Sequence, residues 1–141
     1  MRSLTKISLG ATLALGASCP NAFGDTTYFY TGTNFTIVTP PYAISDMVTG
    51  SITLPTPLAS HLFFAAITPP AFSFSDGVQT LSDANTNHNT FIVSTNAVGD
   101  ITNWFMSVSA EVGGVDLETI VTANSPGLVF DLGACPDSVR R

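Results

Sequence analysis

Between Lys6 and Arg140 the chain contains no lysine or arginine, although all ten of its carboxylates fall in that interval. A body of this kind cannot neutralise a phosphate backbone, so nucleic acid is excluded as a partner. It also lacks the cationic side chains that clamp nucleotides, anionic sugars and acidic lipid head groups. Cysteine is almost as scarce: Cys19 and Cys135 are the only two, and the chain does not rely on disulfides. Charged residues make up 10% of the chain and hydrophobic ones 45%, which places it far from the disordered class. Its surface must therefore be dressed with Ser, Thr, Asn and Gln. Such a surface depends little on salt bridges, each worth ~0–1 kcal/mol when exposed. No internal repeat, linker or low-complexity tract is present.

What the N-terminus offers is an export signal. Met1 to Lys6 form a short positive region, Ile7 to Ala17 an apolar stretch, and Ala22-Phe23-Gly24 a small-x-small triplet before Asp25. Residues 1–24 read as a secretory signal peptide. The apolar stretch is well short of the ~20 residues a spanning helix needs, and no later segment is long and apolar enough to be one. A competing reading is lipid attachment at Cys19, since Gly16-Ala17-Ser18 precede it, with Gly16 standing where a branched aliphatic residue is usual. Cleavage removes Arg2 and Lys6 but no carboxylate, so the formal charge moves from −6 to −8. Residues 25–141 then form a single exported domain with one core. Cys135 has no second cysteine to bridge to within it, and reads as a thiol near the terminus or as an intermolecular link.

The exported region reads as strands almost throughout. Thr26 to Thr31 alternates around Tyr28 and Tyr30, and Phe35 to Thr39 reads as a further strand, broken by Pro40-Pro41. Met47 to Leu54 sets Val48, Ile52 and Leu54 on one face and Thr49, Ser51 and Thr53 on the other. Phe72 and Phe74 alternate with Ser73 and Ser75 before the turn Asp76-Gly77, with Val78 to Leu81 returning as the second arm of a hairpin. Phe91 to Thr95 leads through Asn96 to Asp100 into Ile101 to Ala110, where Trp104, Met106 and Val108 share a face. Gly113-Gly114 and Pro126-Gly127 bracket Val115 to Thr122, and Leu128 to Leu132 follows. Only Leu58 to Ile67 has the option of a helix, and prolines crowd both its ends. Seven to nine short strands with frequent turns predict an all-β fold, an antiparallel β-sandwich, with an open β-barrel as the alternative.

The ordered set Tyr28-Phe29-Tyr30-Thr31-Gly32, Phe35-Thr36-Ile37-Val38, Pro41-Tyr42, Ser45-Asp46, Val48 to Leu54, Pro57-Leu58 and Phe72 to Leu81 resembles the body of small secreted bacterial proteins that commonly end in a PEP-CTERM sorting signal. The resemblance covers about residues 28–110 and implies an exported all-β domain from a bacterium that makes extracellular polymer. It implies no activity. The sorting tail of that class, a Val-Pro-Glu-Pro-like motif followed by an apolar span and a basic cluster, has no counterpart in Asp137-Ser138-Val139-Arg140-Arg141. Free release and truncation relative to such proteins both fit that ending.

Three constellations carry candidate chemistry. Asp83, Asn85 and Asn87 place oxygen side chains at positions one, three and five of a loop, the spacing that calcium favours. Position six is His88 instead of glycine and position twelve Ser94 instead of glutamate, so a solvated Asn/Asp-rich turn explains the composition equally. Tyr28, Tyr30, Tyr42 and Trp104 would form a stacking platform for sugar rings if exposed, and core filling if not. Carboxylate pairs such as Asp76 with Asp83, or Glu111 with Glu118, would serve a glycosidase at separations of about 5–10 Å. Against hydrolysis stand the missing Gly-x-Ser-x-Gly element and histidines, His61 and His88, with no activating or metal-binding context. The expectation is a noncatalytic secreted or extracellular-matrix-associated protein in contact with extracellular polysaccharide. A carbohydrate-binding module and an extracellular hydrolase are the alternatives.

Overall fold

The computed structural model describes residues 3–8, 24–112 and 115–135. Cys19, the Gly113-Gly114 turn and Arg140-Arg141 lie outside them. Ten strands follow one another, with no helix among the described residues. They are β1 (Ser3–Ser8), β2 (Thr26–Asn34), β3 (Met47–Leu54), β4 (Ala65–Ala66), β5 (Ala71–Ser75), β6 (Thr80–Ser82), β7 (His88–Thr95), β8 (Ile101–Val112), β9 (Val115–Ser125) and β10 (Leu128–Ala134). Two antiparallel sheets result, ordered β1-β2-β3-β5-β6 and β10-β9-β8-β7-β4. They pack face to face as a β-sandwich and do not close into a barrel, because each sheet keeps two distinct edges.

Period-two alternation places the core. Tyr28 and Tyr30 on β2, Val48, Ile52 and Leu54 on β3, and Phe72 and Phe74 on β5 bury one inner face. Phe91 and Val93 on β7, Trp104, Met106 and Val108 on β8, and Ile120 on β9 bury the other. Cross-strand register aligns these sets, with Ile52 opposite both Tyr28 and Phe72, and Met106 opposite Phe91. Tyr30 then meets Trp104 across the sandwich edge to face, ring centroids 5.5 Å apart. The expected hairpin at Asp76-Gly77 is present, with Gly77 at φ 94°, as is the turn at Asn96–Asp100.

Two expectations are corrected or resolved. Phe35 to Thr39 is not a strand. The β2–β3 ladder breaks register after Thr31, and the Phe35 amide bonds to Asp46 O, which folds the intervening chain into a loop ahead of β3. β-branched composition suits a pleated surface but does not by itself recruit a strand partner. Leu58 to Ile67 is not helical either: it is a hydrogen-bonded loop that ends in β4, with His61 and Phe64 in left-handed backbone at φ 57° and 43°.

Candidate functional site

The most elaborate polar structure sits where the two sheets meet near β10. Asp76 directly follows β5 and stays in phase with Phe72 and Phe74, so its carboxylate points inward and is wholly buried. Four donors hold it. Oδ1 accepts from the amides of Val78 at 3.0 Å and Gln79 at 2.9 Å, and Oδ2 from the Tyr42 hydroxyl at 2.7 Å and Gln79 Nε2 at 3.0 Å. Gln79 Nε2 also donates to Ala134 O at 2.8 Å, tying the β5–β6 turn of one sheet to β10 of the other. Gly133 faces this knot, and a Cβ there would strike the Asp76 carboxylate, so β10 approaches that closely only as glycine. Burial first, then the Asp76 carboxylate and to a lesser degree Cys135, hold the Tyr42 phenol far above its ordinary range. A second tyrosine–carboxylate pair stands beside it, with the Tyr30 hydroxyl donating to Asp131 Oδ1 at 2.6 Å.

Above this layer the loop after β2 leans over β10 and leaves an open groove of about 420 Å³. Phe35, Ile37, Val129 and Leu132 line it, with Ile37 91% exposed. A second apolar feature is the Leu58–Ala66 loop, whose tip presents Phe63 at 82% and Phe64 at 48% exposure. Hydrogen bonds fix that tip: the Leu62 amide donates to Thr95 Oγ1 and the Phe64 amide to Ser94 Oγ, both at 2.9 Å, and Thr95 Oγ1 donates to Ala59 O at 2.7 Å. The two rings stand edge to face at 84°, so they offer no coplanar surface.

The sequence-derived candidates separate rather than converge. Tyr28, Tyr30, Tyr42 and Trp104 are 2%, 2%, 8% and 4% exposed, which corrects the stacking-platform reading: no sugar ring reaches their faces. Their polar tips are used internally, Tyr28 accepting from the Leu58 amide at 2.9 Å and Trp104 Nε1 donating to Thr122 Oγ1 at 3.1 Å. In the candidate calcium loop, the three oxygens turn to three places. Asp83 Oδ1 accepts from the Phe72 amide at 3.2 Å, Asn85 Oδ1 from the Ser82 amide at 2.6 Å, and Asn87 Oδ1 from the Glu111 amide at 2.9 Å. No group of three or more His, Cys, Asp or Glu gathers as for a metal among the described residues.

The carboxylate pairs also come apart. Asp76 and Asp83 belong to opposite ends of the β5–β6 hairpin, beside Gln79 and Phe72, about 13 Å apart at ~3.3 Å per residue. Glu118 pairs with core-facing Ala110, whereas Glu111 receives His88 Nε2 at 2.8 Å on the outer side of the sheet. The His61 backbone amide donates to Asn96 O beyond the far end of β7 from His88, roughly 25 Å of strand away. The sequence reading missed the knot, the groove and the phenylalanine tip. For Asp76 a signal existed, its phase with Phe72 and Phe74. The groove joins residues nearly a hundred positions apart and has no local signal. No family model, no curated protein and no solved structure matches this chain.

Proposed function

We propose that this chain is a noncatalytic, exported β-sandwich protein of the bacterial exterior, released by cleavage after Gly24 and associated with extracellular polymer through broad polar contacts. The observation that carries this reading is where the chemically capable side chains spend their polar atoms. Asp76, Tyr42, Asp83, Asn85, Asn87 and Trp104 each bind a protein group, and the aromatic faces suited to a ligand lie in the core. The outer strand faces carry Thr, Ser and Asn, such as Thr49, Ser51, Ser73 and Asn103, which hydrogen-bond to neutral polymers without selecting a charge. An acidic body with no cation between Lys6 and Arg140 is not drawn to anionic surfaces.

The test is expression with the native leader in a bacterial host, followed by fractionation, intact-mass measurement and a glycan array on the recovered protein. Recovery outside the cytoplasm with Asp25 at the N-terminus and shallow, unsaturated binding across neutral glycans is the expected result. Saturable binding to one glycan class, or turnover of a glycosidic substrate, overturns the noncatalytic, nonspecific reading. Palmitate labelling of Cys19 would replace release by lipid anchoring.

A further inference from the structure

The four sheet edges differ in how they are protected. β4 has two residues and β6 three, too short to template another strand. β10 has seven, but carries the inward-pointing Asp131 and Gly133. β2 is nine residues long, Thr-Thr-Tyr-Phe-Tyr-Thr-Gly-Thr-Asn, with no charge and no proline. Over Thr26–Thr31, ahead of the register break with β3, it carries neither a charge, a proline nor a bulge to blunt an edge. Its cover in the full chain is β1, paired antiparallel from Ser3 opposite Thr31 to Ser8 opposite Thr26. Every residue of that cover belongs to the segment read above as the leader.

We infer that loss of residues 1–24 converts β2 into a strand acceptor, and that the strand which takes the place of β1 is β2 of a second copy of this chain. The inference rests on the proposed cleavage. Removing β1 leaves about six backbone N–H and C=O groups along β2 without their ladder partners. The edge demonstrably accepts an antiparallel strand, because Ser3–Ser8 occupies it in unbroken register. A second β2 is the complement that fits best. Two acidic bodies repel one another everywhere carboxylates face outward, and Thr26–Asn34 is the long edge without one. Antiparallel pairing about a two-fold axis at Phe29 sets Asp25 of each copy opposite Thr33 of the other, so the two flanking carboxylates do not meet. The product is one continuous sheet running β6-β5-β3-β2 and back through β2-β3-β5-β6 of the second copy. Outside it, Phe29, 42% exposed, gains a cross-strand aromatic neighbour.

The experiment uses the exported protein recovered after expression with its own leader. Intact mass reports the cleavage, light scattering over a concentration series reports assembly, and hydrogen exchange reports the Thr26–Thr31 amides. The expected result is a cleaved chain in a concentration-dependent monomer–dimer equilibrium, with Thr26–Thr31 amides gaining protection in the dimer. Phe29→Lys, which sets like charges across the axis, weakens the dimer about tenfold or more. Ser73→Lys, the same charge on the same sheet face but two strands inward, leaves it unchanged. A cleaved protein that stays monomeric, or a dimer indifferent to Phe29→Lys, overturns the pairing while leaving the export reading intact. A recovered protein that retains residues 1–24 overturns the export reading and the inference with it.

Discussion

The Tyr42 hydroxyl donates a 2.7 Å hydrogen bond to Asp76 Oδ2, joining the loop after β2 to the β5–β6 turn at a carboxylate held by four donors and no cation. A buried carboxylate is tolerated only when donors replace its water. Asp76→Ala strands all four at once and is expected to cost about 3 kcal/mol or more. Tyr42→Phe removes one donor from a carboxylate that keeps three, and is expected to cost about 2 kcal/mol. Urea unfolding of the two variants against the wild type, with unchanged m-values, measures both.

The same pair gives stability a pH dependence. In the unfolded chain Tyr42 loses its proton near the ordinary value of 10.0, whereas in the folded chain burial and Asp76 hold that proton to higher pH. Above about pH 10 the folded state therefore binds more protons than the unfolded one, and stability falls as pH rises. Below pH 10 the contribution is fully present. Unfolding midpoints from pH 8 to 11 should decline at the alkaline end in the wild type and flatten in Tyr42→Phe.

Gly50 lies under the Phe74 ring, which occupies the place a Cβ would take. Gly50→Ala must push that ring from a position where it is 2% exposed, into contact with the Phe91 side of the core. Overpacking of this sort costs about 1–3 kcal/mol. A fall in Tm with retained β-sheet circular dichroism is the expected outcome.

Calcium should leave the melting temperature unchanged at millimolar concentration, because Asp83, Asn85 and Asn87 direct their oxygens at three separate backbone amides. Asn85→Ala should lower it instead. The Asn85 side chain closes the turn after β6 through the Ser82 amide and Thr80 O, an arrangement worth about 1 kcal/mol. Differential scanning calorimetry of both proteins, with and without calcium, separates a turn from a metal site.

Strand identity was legible wherever alternation was strict. Met47–Leu54 appears as β3 with the bounds its sequence implies, and Phe72 and Phe74 face inward as their spacing requires. Phe35 to Thr39 misled because β-branched composition describes a suitable surface and says nothing about an available neighbour. The aromatic candidates show the same limit. Alternation puts Tyr28 and Tyr30 on one face of β2, but which face meets the second sheet depends on partners such as Trp104 and Asp131, the latter 101 positions from Tyr30. For Asp83, Asn85 and Asn87 the one-three-five spacing does not specify side-chain direction, which is set by amides of β5, β6 and β8.

Trp104 is the single tryptophan of the chain, so its fluorescence reports directly whether the aromatic set serves the core or a ligand face. Buried at 4% exposure, edge to face with Tyr30 and bonded to Thr122, it should emit to the blue of free tryptophan and resist quenching by acrylamide until the protein unfolds. Emission at the wavelength of the unfolded chain, with quenching to match and protection on adding a glycan, would contradict the interior role assigned to these residues.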